Sequence, residues 1–206
     1  MYLEINSENP SERKISQAVD VLRKGGVIIY PTDTVYGLGC DIYNTKAFEK
    51  ICRLKGIKPK KANFSFICND LSHLSTFTRP IDNYTFRLLK KTLPGPFTFI
   101  LKANHNVPKI FKVNKKTVGI RVPDNNIAQA LISGLGNPII STSLKIDDED
   151  DFMEYLTDPS EIYEEYEKLV DLVIDGGYGS LKASTVVDLT KGEPEIIRQG
   201  AGEFFF

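Results

Sequence analysis

Short apolar runs alternate along the chain with segments of helical periodicity, and this alternation restricts the fold more than any other feature. Residues 27–30 form an apolar, largely β-branched run between glycines and Pro31, the pattern of a strand buried on both faces. Further short strands are predicted at residues 64–68, 97–101, 118–122, 138–141, 172–174, 185–189 and 195–198.

Helical patterns separate several of these runs. Apolar residues recur at helical spacing from Ile15 to Leu22, after a capping arrangement in which Asn9 is the cap residue. Strand and helix patterns that alternate predict an α/β fold with a mixed or parallel sheet, and the absence of repeats and linkers favours one domain over residues 1–206. The other predicted helices are 45–55, 82–93, 127–135 and 159–169.

Composition excludes several classes of protein. The chain is 41% apolar and 26% charged, which rules out a disordered or collagen-like chain. Its net charge is −1, so affinity for nucleic acid has to come from the distribution of charge. Because no apolar run reaches the roughly 18–20 residues of a membrane span and the first residues are polar, we expect a cytoplasmic protein with no membrane partner.

Cysteine and histidine usage argues against a metal centre and against covalent catalysis. Cys40, Cys52 and Cys68 match neither a disulfide framework nor a CxxC metal spacing, so we expect buried, reduced thiols. His73 and His105 are the two histidines, and both lie in polar surroundings typical of the surface. A protein metal site and a histidine-based triad are therefore not expected.

A polar loop is predicted to follow the strand at 27–30. Residues 31–41 combine threonines, an aspartate and glycines, a composition that suits either a simple polar turn or a ligand-binding loop. Loops at the carboxyl ends of buried strands are where open α/β sheets bind small ligands, which favours the second reading. The segment is neither a Walker A loop nor a GxGxxG fingerprint.

Arg121 and two hydroxyl clusters are the other candidates for binding. Arg121 lies inside an apolar run, so either an internal carboxylate or a ligand carboxylate should face its guanidinium. Hydroxyl groups at 141–143 and 184–185 suit phosphate or carboxylate oxygens, or they satisfy strand ends. The sequence also contains a basic stretch at 46–61 and an acidic stretch at 147–167, and both are typical of solvated faces. The basic stretch could instead contact phosphate or RNA.

Together these stretches resemble the YrdC family, whose members make threonylcarbamoyl-adenylate for the modification of adenosine 37 in tRNA. The resemblance runs over about residues 14–198, and residues 63–68 and 141–144 are more similar to the YciO branch. The segments that carry it occur in the family's order: 25–39, 94–98, 118–123, 141–143 and 184–188.

The resemblance implies a YrdC-like fold, a single-domain twisted mixed sheet with flanking helices and a concave basic surface. It implies a nucleotidyltransferase that converts L-threonine, bicarbonate and ATP to threonylcarbamoyl-AMP and pyrophosphate, with Mg²⁺ that arrives on the phosphates. A tRNA threonylcarbamoyl transferase complex would act downstream, and double-stranded RNA or tRNA is a further expected partner. Two alternatives are a non-catalytic RNA-binding module and carbamoyl-adenylate chemistry on another amine.

The resemblance also implies roles for individual residues. An arginine that the family carries after its second helix is absent here, and Cys68 stands where the family has a histidine near the threonine site. The implied threonine-binding residues are Thr32, Arg121, Ser184 and Thr185; the implied ATP-binding residues are Lys55, Thr98, Ser143 and Arg198; the lysines that could compensate for the absent arginine are Lys58, Lys60, Lys61 and Lys145.

Overall fold

Ten strands form one mixed sheet within residues 1–108, 116–144 and 155–203, which are the residues that the computed structural model describes. The order across the sheet is β1-β8-β2-β3-β7-β4-β6-β5-β9-β10. The pairs β1/β8, β2/β8, β4/β6 and β5/β9 are parallel, and the other pairs are antiparallel. The strands are β1 (Tyr2–Glu4), β2 (Ile28–Tyr30), β3 (Gly37–Asp41), β4 (Ser65–Ile67), β5 (Phe97–Lys102), β6 (Thr117–Arg121), β7 (Ile139–Ser143), β8 (Leu172–Asp175), β9 (Thr185–Asp188) and β10 (Glu195–Arg198).

Helices flank this sheet, and most of them begin at an Asn or Asp cap. The side chains of Asn44, Asp82, Asn125 and Asp158 each accept a hydrogen bond from a backbone N–H of the first helical turn. No helix in the described ranges is long and apolar enough to cross a membrane. The helices are α1 (Glu12–Arg23), α2 (Thr45–Leu54), α3 (Leu71–Ser75), α4 (Asn83–Thr92), α5 (Asn126–Leu135) and α6 (Pro159–Tyr166), with a 3₁₀ turn at Pro59–Lys61.

The structure confirms the predicted single α/β domain with a mixed sheet, and it corrects three local predictions. The cap of α1 is Ser11, not Asn9, and its side chain makes no capping bond. The predicted loop at 31–41 is wrong in its second half, since residues 37–41 form β3. The sequence patterns also missed β1 and α3, which are too short to show a periodicity.

Glycines explain why β3 did not look like a strand. A Cβ atom at Gly37 or at Gly39 would lie 3.1 Å from the Tyr30 ring, which packs across this part of the sheet. Residues of β7 approach still closer, since a Cβ at Gly37 would lie 2.9 Å from Ser141 Oγ and one at Gly39 would lie 2.7 Å from the Ile139 side chain. Glycine has a poor intrinsic preference for strands, but here these close approaches leave little room for a larger residue. Pairing with β2 on one side and β7 on the other supplies the hydrogen bonds of β3.

Side chains of successive strand residues divide between two cores. Ile28 and Tyr30 of β2 belong to the core that α1 and α5 cover, whereas Ile29 packs on the opposite face with Phe48 of α2. The core beneath α1 and α5 reaches Ile67 of β4 and does not extend to β5, β6, β9 or β10. The sheet face that α1 and α5 cover over β2 and β8 is therefore without their cover over β5, β6, β9 and β10.

Replacement of Leu131 by alanine is expected to destabilise the chain by about 2–5 kcal/mol, because Leu131 is fully buried between α5 and the sheet and its loss leaves a cavity. Urea unfolding followed by circular dichroism measures the change. Leu181→Ala is the matched control, since Leu181 is 70% exposed, and we expect it to change the free energy of unfolding by less than about 0.5 kcal/mol. A similar effect of the two variants would contradict the assigned core.

The three cysteines are buried and form no disulfide, as predicted. Burial raises the pKa of the Cys40 and Cys68 thiols well above their usual range, so both stay protonated at neutral pH. We expect Ellman's reagent to react slowly with the native chain and to titrate all three thiols in denaturant. Fast labelling of any thiol in the native chain would show that one of them is exposed.

Candidate active site

A cavity of about 410 Å³ opens on the sheet face that the helices leave uncovered. Its floor consists of small residues on neighbouring strands, Gly37 on β3, Ser141 on β7, Ser65 on β4 and Gly119 on β6. The register aligns three of them, because Ser65 pairs with Ser141 on one side and with Gly119 on the other. Small side chains at these positions leave the hollow that larger side chains would fill.

Arg121 lines this cavity and faces an internal carboxylate. Its Nη2 atom donates hydrogen bonds to the Asp33 carboxylate, to Thr34 Oγ1 at 2.6 Å and to Thr32 Oγ1 at 3.3 Å. Both charged side chains are largely buried, with 10% of Arg121 and 8% of Asp33 exposed. Of the two partners that the sequence left open, the structure provides the internal one.

Thr32 lies in the loop between β2 and β3, beside the cavity but outside its lining. Its hydroxyl donates to the carbonyl of Val35 at 2.7 Å and accepts from the backbone N–H of Thr34 at 3.1 Å. These bonds fold residues 32–35 around the guanidinium of Arg121. Two of the predicted threonine-binding residues, Thr32 and Arg121, are therefore brought into direct contact.

Thr98, Ser184 and Arg198 form a second polar group in the same cavity. The hydroxyls of Thr98 and Ser184 are 2.8 Å apart, and Arg198 Nη2 donates to the Ser184 carbonyl at 2.8 Å. Parallel pairing of β5 with β9 brings Thr98 next to the residues that begin β9, and β10 carries Arg198 alongside. The structure thus joins a residue predicted for threonine with two predicted for ATP.

Ser143 also lines the cavity, whereas the described lysines among the predicted residues are not part of its lining. Lys55 is the C-cap of α2, and Lys58, Lys60 and Lys61 are exposed at the 3₁₀ turn. Ala62 and Asn63, which directly follow this turn, line the cavity, so the exposed lysines adjoin lining residues in the sequence. Lys145, the acidic residues 147–151 and the terminal residues 204–206 lie outside the described residues.

Thr185, a predicted threonine-binding residue, and Cys68, which stands where the family has a histidine, are not among the residues that line the cavity. The Thr185 hydroxyl is buried, donates to the Gly202 carbonyl at 2.6 Å and accepts from the Gly200 backbone N–H at 2.9 Å. Cys68 is packed with Phe66 in the core on the opposite face of the sheet. Thr185 therefore anchors the segment after β10, and the Cys68 side chain is separated from the cavity by the sheet.

The charges and hydroxyls of the cavity suit anionic ligands. Among its described lining residues the charged side chains are Arg121 and Arg198, and none is Asp, Glu, Cys, His or Lys. Burial raises the pKa of Tyr30 to about 12, so this neighbour of Ser141 stays neutral. The described residues contain no group of three His, Cys, Asp or Glu side chains that could hold a metal ion. Guanidinium and hydroxyl groups are the groups with which proteins commonly hold carboxylates and phosphates.

Sequence reasoning missed Asp33 as the partner of Arg121 and missed the floor residues Ser65 and Gly119. Asp33 gave no signal, because it is 88 residues away from Arg121 in the sequence. The floor did leave a signal in β6, where Thr117, Gly119 and Arg121 alternate with Val118 and Ile120, but β4 (SFI) and β7 (IISTS) show no such alternation. This alternation marks a strand whose one face is not packed against a helix.

Comparison with known proteins agrees with the resemblance found in the sequence. Residues 20–200 match the model of the Sua5/YciO/YrdC family, which is described as "telomere recombination". The chain is 48% identical over 203 residues to YciO of Escherichia coli (strain K12), covering 98% of this chain and 96% of that protein. The crystal structure of E. coli YciO superposes with a TM-score of 0.89, over 98% of this chain and 97% of that one.

More distant relatives include proteins with a stated activity. A threonylcarbamoyl-AMP synthase of Pyrococcus abyssi is 30% identical over 194 residues, which are 94% of this chain and 56% of that protein. The crystal structure of P. abyssi Sua5 complexed with L-threonine is 28% identical, with a TM-score of 0.87 over 97% of this chain and 57% of that one. The chain is thus homologous to threonylcarbamoyl-AMP synthases and more similar to YciO, and it belongs to the Sua5/YciO/YrdC family.

Proposed function

We propose that this chain joins L-threonine, bicarbonate and ATP to form threonylcarbamoyl-AMP and pyrophosphate. The observation that carries the proposal is one cavity whose described charged lining residues are two arginines, Arg121 and Arg198, with hydroxyls between them. The reaction needs a carboxylate and a triphosphate to be held side by side, and such a cavity favours both anions. Homology to a Sua5 protein that was crystallised with L-threonine supports an amino acid as one ligand.

The proposed reaction requires positioning more than protein chemistry. The threonine amine takes up the carbon of bicarbonate to give an N-carboxylate, with release of water. An oxygen of this carboxylate attacks the α-phosphorus of ATP, and the bond from that phosphorus to the bridging oxygen of the β-phosphate breaks, so that pyrophosphate leaves. ATP enters as its magnesium complex, so the ion is part of the substrate. Orientation of the two reactants and cationic stabilisation of developing charge supply the rate enhancement.

We assign one arginine to each anion. Arg121, with Thr32 beside it, would receive the threonine carboxylate, and Ser184 would lie at the boundary between the two ligands. Arg198 donates two hydrogen bonds to the Ser184 carbonyl, from Nη2 at 2.8 Å and from Nε at 3.3 Å. Together with Thr98 and Ser143, Arg198 would receive the nucleotide. Lys55 would reach the phosphates from the end of α2.

Pyrophosphate release tests this function. The purified chain with L-threonine, bicarbonate and magnesium ATP is expected to release pyrophosphate and to form threonylcarbamoyl-AMP, detected by mass spectrometry. Omission of threonine or bicarbonate should abolish both. Release of pyrophosphate that does not depend on the amino acid would contradict the proposal, and a panel of other amines in the same assay would reveal a different substrate.

The two arginines are expected to affect different substrates. Arg121→Ala should raise the KM for threonine, and Arg198→Ala should raise the KM for ATP, because each substitution removes the positive charge that we assign to one of the two anionic ligands. Loss of one partner of a desolvated charge pair costs about 2–5 kcal/mol, or roughly thirty-fold to several thousand-fold in kcat/KM. Lys168→Ala is the control, since the Lys168 side chain is 89% exposed and distant in sequence from the lining residues. Equal effects of both arginine variants on both substrates would contradict the assignment.

RNA binding is a second candidate function, favoured by the exposed lysines at the 3₁₀ turn beside the cavity. Phosphate contacts by Lys58, Lys60 and Lys61 would make affinity for tRNA fall steeply with salt. Substitution of these lysines by glutamine should then weaken tRNA binding, while Arg121→Ala should leave it unchanged. A chain that binds tRNA in this way and releases no pyrophosphate would be a binding module.

A further inference from the structure

All three hydrogen bonds of Arg121 to the 32–34 loop start from the same nitrogen, Nη2. The acceptors are the Asp33 carboxylate and the hydroxyls of Thr32 and Thr34. The Nε atom of Arg121 is buried and has no hydrogen-bond partner within the described part of the chain. The protein therefore supplies acceptors for Nη2 of the guanidinium and supplies none for Nε within the described residues.

This arrangement restricts how a ligand carboxylate can bind Arg121. A guanidinium offers a carboxylate two forked edges, one formed by Nε and Nη2 and the other by Nη1 and Nη2. Both edges include Nη2, which Asp33 and Thr34 already occupy. A ligand carboxylate can take a forked contact only if it displaces Asp33 or Thr34 from Nη2, and otherwise it meets Arg121 through a single N–H.

Asp33 also links two elements beside the cavity. One of its carboxylate oxygens accepts from Arg121, and the other, Oδ2, accepts from the backbone N–H of Asp124 at 3.2 Å. Asp124 lies between β6 and α5, whereas Asp33 lies between β2 and β3. The Asp33 carboxylate thus holds the loop, the guanidinium and the end of β6 in one arrangement before any ligand arrives.

We propose that Asp33 is a positioning residue for the amino-acid subsite, a role that rests on the proposed function. It orders the Arg121 guanidinium through Nη2, so that the threonine carboxylate meets a fixed cation and makes a single-point contact with it. Ordering a side chain in advance removes an entropy cost that binding would otherwise include. The role of Asp33 is therefore visible in threonine affinity and not in nucleotide affinity.

Asp33→Asn tests this role, with Asp124→Asn as the matched control. The first variant removes the charge that anchors Arg121, and the second removes an adjacent acid whose side chain is exposed, while its backbone N–H remains. We expect Asp33→Asn to raise the KM for threonine on the order of tenfold and to change the KM for ATP less than about twofold. Asp124→Asn should change neither.

The direction of the effect separates positioning from simple electrostatics. Removal of the Asp33 charge makes the cavity more positive, which by itself would tighten the binding of a carboxylate. A lower KM for threonine in Asp33→Asn would therefore show that Asp33 competes with the ligand, and it would overturn the proposal. Unchanged kinetics, or an equal rise in both KM values, would overturn it as well.

A second variant covers the case in which Asp33→Asn does not fold. Thr34→Val keeps Asp33 and removes the 2.6 Å acceptor of Nη2, and we expect a smaller rise in the KM for threonine with no change for ATP. Thermal unfolding of each variant checks that the fold is retained. If the wild-type chain is active and the variants have the same KM values, only the role of Asp33 is refuted. If the wild-type chain shows no threonine-dependent pyrophosphate release, the proposed function is refuted and the role of Asp33 with it.

Discussion

A buried guanidinium requires a counter-charge, and this requirement organises the cavity end of the sheet. Arg121 ends β6 inside an apolar region, and Asp33 reaches it from the loop between β2 and β3, although β7 and β4 lie between β3 and β6 in the sheet. Removal of one partner from such a pair typically costs about 3–5 kcal/mol. The pair therefore holds the loop between β2 and β3 against the end of β6, and this contact forms one wall of the cavity.

The cavity itself depends on where the helices stop. Helices α1 and α5 cover the sheet over β1, β8, β2 and β3 and over the adjoining ends of β7 and β4, where Ile139 and Ile67 join their core. Beyond them the same face carries glycine and serine, which are too small to close the space. A helix packed there would need large apolar side chains on those strands, as are found on the opposite face at Phe66, Phe99 and Ile120.

Much of this could be predicted from the sequence, because local pattern determines most of the elements. The apolar run of β2 and the periodic faces of α1, α2 and α5 are visible without tertiary information. β3 was not, since its glycines are explained by the close approach of Ser141 and Ile139 on β7 and of the Tyr30 ring on β2, which are contacts between strands.

The site shows the same limit. Arg121 and the hydroxyls at 141–143 and 184–185 stood out from the residues themselves, and Thr98 and Arg198 were found through resemblance. The pairing of Arg121 with Asp33 was not found, because no local pattern links residues so distant in sequence. Cys68 illustrates a different failure: strand alternation places Phe66 and Cys68 together, and it could have excluded Cys68 from the face that carries Ser65 and Ile67. A resemblance assigns a position, whereas the period of the strand decides on which face its side chain lies.

The central claim is that one cavity holds an amino acid and a nucleotide together, each beside its own arginine. A crystal structure of the chain with L-threonine and a non-hydrolysable ATP analogue measures this directly. The account predicts the threonine carboxylate at Arg121 and the phosphates at Arg198, with Asp33 still bound to Nη2. Threonine that binds elsewhere, or a nucleotide that occupies both arginines and excludes the amino acid, would contradict it.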